Sequence, residues 1–364
     1  MSQKIILHIG HGKTGSSAIQ SVLARNQRKL REHGILYPTH RSFDQAAAGH
    51  ISSGNIDLED WLGQILAIAR DNPDCPTLLF SNEVLFCTIQ DSLEAIARRP
   101  DGHAFEILLF VRHPLEMLDS AYQQAVKREG FTGSIVDYSR REVTTIRASA
   151  MVDRFIELGI DFRLFNYSAL RRGVVESFLA YLGLTDLIDD REAWRIGTVN
   201  RSLTLGELRF VRDVNRIFGA QYGAPISDTL VNHLPDIRAD RVPIDAQTAA
   251  ELREREYEPV VNLNRHLPAD QQLSLLWEER LVAADAQQEL SAEQAQVIRG
   301  MFPGALVHAD GPILRDIAMR YETGGPLGRA EAITLMEYAH KARPHGQIIS
   351  GKLEEWRRAR EREG

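Results

Sequence analysis

The sequence predicts an α/β protein, a parallel β-sheet flanked by helices, with a mostly helical C-terminal extension. Three observations lead there. Short apolar runs begin at Lys4, Thr77, Phe105 and Asp161, and helical patterns lie between them, the alternation of a parallel sheet covered on both faces. The first run, Ile5 to Ile9, passes straight into the glycine-rich turn Gly10-His11-Gly12-Lys13-Thr14-Gly15 and then into a helix. Beyond about residue 220 the pattern is helices and loops, with no clear strand.

Composition sets the outer limits. With 364 residues, 43% hydrophobic and 26% charged, the chain can build one large or two modest domains. The expected division is an α/β core over residues 1–219 and a mostly helical region over residues 220–364, packed on that core. A net charge of −7 argues against a nucleic-acid protein with a basic surface, although a local basic pocket remains compatible. Two cysteines, Cys75 and Cys87, make no disulfide framework and fit a reducing compartment. The N-terminal apolar run is interrupted by His8 and Lys13, too soon for a signal peptide. No stretch reaches the roughly 18 apolar residues of a membrane span, so a soluble, cytoplasmic protein is expected.

In chain order, the spacing of Ile19, Val22, Leu23 and Leu30 predicts a helix over 17–32, which Gly34 ends. Ser16 and Ser17 are placed to cap it. Residues 39–55 read as a loop carrying His40 and His50, and Asp57 opens a helix through Ala69. Residues 77–81 form a strand followed at once by Asn82-Glu83, and 85–99 a helix stopped by Pro100 and Gly102. Phe105 to Val111 is the most apolar strand and ends on Arg112. Pro114 sits at the first position of the next helix, where its missing N–H costs nothing. That helix buries Leu115, Leu118, Tyr122 and Ala125, while its other face carries Glu116, Ser120, Gln124 and Lys127. A helix over 145–158, a strand over 161–165 and a helix with Val174, Phe178 and Leu182 complete the core. Asn200-Arg201-Ser202 opens a helix, and residues 352–363 read as a charged, solvated or partner-facing one.

Ligands of parallel sheets bind at the carboxyl ends of strands, where three polar groups converge here. The loop combines backbone N–H groups, a helix N-terminus, the Lys13 charge and the hydroxyls of Thr14, Ser16 and Ser17, a set suited to an anion with several oxygens. Its ending Gly12-Lys13-Thr14 matches the phosphate loop G-x-x-x-x-G-K-[ST], but Leu7 stands where the first glycine belongs. Arg112 supplies a fork for a second anionic group, and Ser120, eight residues on, a hydroxyl for the same group. Glu83 is the candidate general base, His50 the rival. His8 is expected to be structural within the sheet and His11 to line the rim. Each residue also has a plain reading: Arg112 in a salt bridge to a helix, Glu83 capping a helix or pairing with Lys13, His50 merely exposed.

The run HIGHGKTGSSAIQ resembles the 5′-phosphosulfate loop of sulfotransferases that use 3′-phosphoadenosine 5′-phosphosulfate (PAPS), enzymes of a P-loop-like fold. VRHPLEMLDSAYQQAVKREG resembles their 3′-phosphate motif, and NRSLTLGEL is similar to bacterial members. The likeness covers roughly residues 4–215. It implies that Gly12, Lys13, Thr14, Gly15, Ser16 and Ser17 hold the 5′-phosphosulfate. Arg112 and Ser120 would hold the 3′-phosphate, with Asn200 and Ser202 as further donor contacts. It also implies in-line transfer of a sulfuryl group from PAPS to a hydroxyl, with Glu83 as base and Lys13 stabilising the leaving phosphate. Carbohydrate sulfotransferases often place a glutamate at that position, so the acceptor is expected to be a sugar or glycolipid, with His50 and Gln124 as candidate contacts. No metal and no nucleic acid enter this reading. One departure is Ser168 in Asn166-Tyr167-Ser168, where related chains often carry an acidic residue; the sequence alone gives it no part in the chemistry. Two other classes fit the loop: an ATP-dependent P-loop kinase, which would need a strand-end carboxylate for Mg²⁺, and a non-catalytic nucleotide-binding protein.

Overall fold

In the computed structural model, residues 2–10, 12–48, 54–141, 144–170, 173–184, 187, 201–282, 286–301, 310–324 and 327–363 are described. Packing divides the chain into two units that interleave along the sequence. The first comprises Met1–Tyr122, Ser134–Val199 and Val242–Val282; the second comprises Gln123–Gly133, Asn200–Arg241 and Ala283–Gly364. The expected break at 219/220 differs from this division, because 242–282 falls with the first unit.

The first unit is built on five parallel strands, β1 (Lys4–Gly10), β2 (Ile35–Leu36), β3 (Thr77–Ser81), β4 (Ala104–Val111) and β5 (Asp161–Asn166), in the order β2-β3-β1-β4-β5. Because side chains alternate across a strand, each strand feeds two cores. Ile5, Leu7, Ile9, Leu78, Phe80, Ile107 and Leu109 face one side. Ile6, Leu79, Leu108, Phe110 and Phe165 face the other. The first side is covered by α4 (Trp61–Asp71), by the short helices α5 (Leu85–Thr88) and α6 (Leu93–Ala97), and by α9 (Thr144–Leu158). The second is covered by α1 (Ser16–Arg25) and α11 (Val174–Tyr181). The remaining helices of this region are α2 (Gln27–Glu32), α3 (Phe43–Ala47), α7 (Pro114–Gln124), α8 (Ile135–Ser139) and α10 (Tyr167–Leu170).

Four expected elements differ in detail. The helix expected to open at Asn200-Arg201-Ser202 begins at Leu205, because the Thr204 hydroxyl caps it by accepting from Glu207 N. The helix expected over 17–32 is two, broken at Asn26, whose Nδ2 donates to the Val22 carbonyl at 2.9 Å and whose backbone leaves the helical region. The helix expected over 85–99 is α5 and α6 separated by a 3₁₀ turn over Ile89–Ser92. The helix expected from Asp57 starts at Trp61, after Asp60 in the left-handed region at φ 46°.

The part of the C-terminal region that returns to the first unit brings a helix, α14 (Ala246–Asn264), whose Val260 and Leu263 join the α9 side of the core. An isolated antiparallel bridge pairs Ile244 with Arg280.

The second unit is helical among its described residues. It contains α12 (Leu205–Phe218), α13 (Gly223–His233), α15 (Ala292–Gly300), α16 (Asp310–Met319), α17 (Arg329–Ala342) and α18 (Gln347–Glu363). α12 opens on a capping box between Thr204 and Glu207. Glu207 is fully buried with Arg201, at 2.7 and 2.8 Å to its two oxygens, and also accepts from Gln294 Nε2 at 2.8 Å. The last helix is not solvated on every side: Leu353 and Trp356 pack on Ile333 and Met336, and the Trp356 indole donates to Glu322.

Candidate functional site

The register of the sheet brings the carboxyl ends of its strands level. Gly10 pairs with Phe110, His8 with Ser81, and Val111 with Asn166. Residues 12–17, 82–83, 112 and 167–168 therefore leave the same edge of four neighbouring strands. β1 lies between β3 and β4, so the chain crosses from one side of it to the other at this edge, the position where ligands of open parallel sheets bind.

The loop after β1 is held open by small residues. A Cβ at Gly10 would lie 2.5 Å from Ser16 Oγ and 3.0 Å from Thr14 Oγ1, whereas one at Gly12 would meet nothing within 4 Å. Lys13 adopts φ 69° and Gly15 φ 87°. A left-handed lysine is strained and persists only where its surroundings enforce it. Gly15 is the N-cap of α1, which has no side-chain cap. The serines are thus not caps: Ser16 is the first helical residue and Ser17 the second. Ser16 Oγ is buried and meets no hydrogen-bond partner among the described residues. Thr14 is fully buried, while Lys13 is exposed. The arrangement fits an oxyanion: a buried hydroxyl without a partner, a glycine cradle that a Cβ would fill, and a helix N-terminus.

Behind the loop, His8 is 1% exposed. Gln20 Nε2 donates to Ser81 Oγ at 3.1 Å, and the Ser81 hydroxyl is hydrogen-bonded to His8 Nδ1 at 2.8 Å. Burial against Phe110 and Phe178 pushes the imidazole down to about 3. It is neutral at physiological pH and structural, as expected.

Glu83 follows β3 and is half-buried. The turn is capped by its neighbour, as Asn82 Oδ1 accepts from Val84 N at 2.9 Å. Among the described residues the Glu83 carboxylate accepts no hydrogen bond, and the helix that follows has no side-chain cap. Burial pushes its carboxyl up, and the Lys13 ammonium partly opposes that rise.

Arg112 leaves β4 with its guanidinium turned to the loop, a helix and an aromatic ring. Nη1 donates to the Lys13 carbonyl at 3.1 Å, Nε lies 3.5 Å from Glu116 Oε2, and Cζ stands 5.2 Å from the Tyr167 ring centroid. The helix salt bridge expected as its plain reading is therefore present, together with a bond to the loop. Ser120 is half-buried on the same face, one turn beyond Glu116, and hydrogen-bonds to none of the described residues. Gln124 and Ser202 belong to the second unit. Asn200, His50 and His11 lie outside the described residues.

Several participants were given no role from the sequence. Ser168 donates from Oγ to Glu116 Oε2 at 2.8 Å and accepts from His113 N at 3.0 Å, so it does enter the site. Tyr167 packs under the loop, where a Cβ at Gly15 would be 3.0 Å from its ring. His113 accepts from Leu115 N at 3.3 Å through Nδ1 and donates from Nε2 to the Ser274 carbonyl at 3.1 Å; burial pushes its imidazole down. Asp119 binds Arg280 at 2.8 Å and fastens the 242–282 segment to α7. The signal available was the sequence Asn166-Tyr167-Ser168 at the end of a fourth strand.

No helix among the described residues is long and apolar enough to cross a membrane. The same residues contain no group of three or more His, Cys, Asp or Glu side chains able to hold a metal ion. Comparison of the chain with family models, curated proteins and solved structures finds no match.

Proposed function

We propose that the protein is a sulfotransferase that moves a sulfuryl group from PAPS to a hydroxyl of a sugar or glycolipid. The observation that carries this reading is the buried Ser16 hydroxyl, without a partner among the described residues, in the glycine-lined loop at the sheet edge where Glu83 also follows its strand. The same edge carries Arg112, whose Nη1 donates to the Lys13 carbonyl.

PAPS supplies an activated sulfuryl group on a phosphate leaving group. Thr14, Ser16, Ser17 and the loop N–H groups around Gly12 and Gly15 bind its 5′ end. Arg112 and Ser120 bind its 3′-phosphate. Glu83 accepts the proton of the acceptor hydroxyl as that oxygen bonds to sulfur. Lys13 neutralises the charge that gathers on the bridging oxygen as its bond to sulfur breaks. The products are a sulfate ester and adenosine 3′,5′-bisphosphate, and the proton leaves Glu83 for solvent. Positioning and fixed charge do the work, with no covalent intermediate on the protein.

The test is binding followed by turnover. Adenosine 3′,5′-bisphosphate at about 100 times its dissociation constant stabilises the folded chain by roughly 2.7 kcal/mol, a rise of a few degrees in Tm. Arg112→Ala is expected to abolish the rise, and PAPS with a panel of sugar acceptors to yield sulfate esters that Glu83→Gln does not make. A rise with ATP–Mg²⁺ in place of the bisphosphate would sink the reading in favour of a kinase. Binding without turnover on any acceptor would favour a non-catalytic nucleotide-binding protein.

A further inference from the structure

Arg112 is already engaged by a carboxylate of its own chain. Glu116 Oε2 lies 3.5 Å from Arg112 Nε and is held at 2.8 Å by the Ser168 hydroxyl, which is itself fixed by accepting from His113 N at 3.0 Å. Both partners are largely sequestered, with side-chain exposures of 16% and 18%. Arg112 is one residue beyond β4, and Glu116 and Ser120 follow at successive turns of the same helix face. The Glu116 carboxylate therefore contacts the same guanidinium that an anionic group held by Arg112 and Ser120 would need.

We propose that Glu116 is an internal occupant of the terminal-phosphate subsite. It engages Arg112 and must be displaced before an anionic group of the ligand can bind there. This deepens the PAPS reading and rests on it. A carboxylate carries one charge and a terminal phosphate nearly two, so the dianion wins Arg112 while a weaker anion does not. The displaced carboxylate keeps a partner, because Ser168 Oγ holds it independently of Arg112. The result is a threshold. Ligands with the second phosphate pay a repulsion and overcome it, and ligands without one leave the latch closed. Arg112 also donates to the Lys13 carbonyl at 3.1 Å, so the exchange at Glu116 is linked through one side chain to the loop that carries Lys13.

The test compares adenosine 3′,5′-bisphosphate with AMP by calorimetry on the full chain, in the native protein, Glu116→Gln, Glu116→Ala and Arg112→Ala. Removing a like charge beside a bound anion strengthens its binding. Both Glu116 variants are therefore expected to bind the bisphosphate about tenfold or more tightly than the native chain. AMP affinity should stay unchanged. A purely structural role for Glu116 would weaken both ligands instead of strengthening one. If the native chain binds the bisphosphate through Arg112 and neither Glu116 variant gains affinity, the latch is overturned and the donor reading stands. If no variant binds the bisphosphate, both fail.

Discussion

At the scale of single residues, the chemistry turns on how environment divides two opposite charges. Glu83 is half-buried and pushed up, and Lys13 limits the rise. A carboxylate so shifted is a better base than an ordinary one, because the proton-accepting form then has a higher proton affinity. It must be ionised to act, so activity is lost as pH falls through the raised value. The acid limb of kcat/KM against pH should lie above the ordinary range of a glutamate. Glu83→Gln should lower kcat by about 10²–10⁴ while leaving bisphosphate affinity near native. Lys13→Ala should move the acid limb of the residual activity further up, since it removes a charge that opposes the shift. A limb at ordinary glutamate pH, unmoved in Lys13→Ala, would take Glu83 out of the reaction. Gly15→Ala tests the loop from below, because φ 87° and a ring 3.0 Å from the new Cβ would force the backbone to shift. Bisphosphate affinity should fall while the sheet stays intact by circular dichroism.

At the scale of elements, the strands and their order along the chain were legible because apolar runs and strand-end polar residues carry strong local signals. Helix boundaries were less so. Asn26 ends α1 through its own side chain, and nothing in the apolar spacing records that bond. The place of α14 was not legible at all, since an amphipathic pattern does not say which core it joins. Its burial has a consequence for stability. Glu256 on α14 is fully buried and pushed up to about 7. Burial dominates, while Arg255, with Nε 3.8 Å from Oε1, and the Thr145 hydroxyl pull the other way. Asp153 and Ser149 of α9 face the same helix through Asn262. A folded-state value above the unfolded one means that the native state holds the proton more tightly. Stability then falls as pH rises from about 4.5 through about 7, by roughly 3 kcal/mol in all. Glu256→Gln should raise Tm at pH 8 and leave it unchanged near pH 4.5. An equal Tm difference at both pH values would mean that the carboxylate is not the cause. In the second unit the opposite case holds, because Glu207 is buried but fully bonded to Arg201 and Gln294. Glu207→Ala strands a buried arginine and should cost about 3–5 kcal/mol by denaturant unfolding.

At the scale of the whole molecule, the sequence divided the chain by position and the structure divides it by packing. Residues 242–282 are remote in sequence from α7 yet fall in its unit, fastened by Asp119 to Arg280 and by His113 to the Ser274 carbonyl. A contact of that kind leaves no periodic trace, because it joins a polar helix face to an irregular segment. The site shows the same limit. Lys13, Glu83 and Arg112 were readable because each ends a strand, but Glu116 and Ser168 gain meaning only when two strand ends are level. The residues proposed to bind the donor at that level edge, Thr14, Ser16 and Arg112, belong to the first unit together with Ser120. Hydrogen exchange with saturating adenosine 3′,5′-bisphosphate should therefore slow at residues 12–18, 112–120 and 166–168, where backbone openings are local and a ligand that binds only the closed form suppresses them. The same amides in Arg112→Ala should exchange as in the unliganded protein. Protection that spares the loop after β1, or that survives in Arg112→Ala, would move the nucleotide away from this edge of the sheet and with it the roles assigned to Lys13 and Glu83.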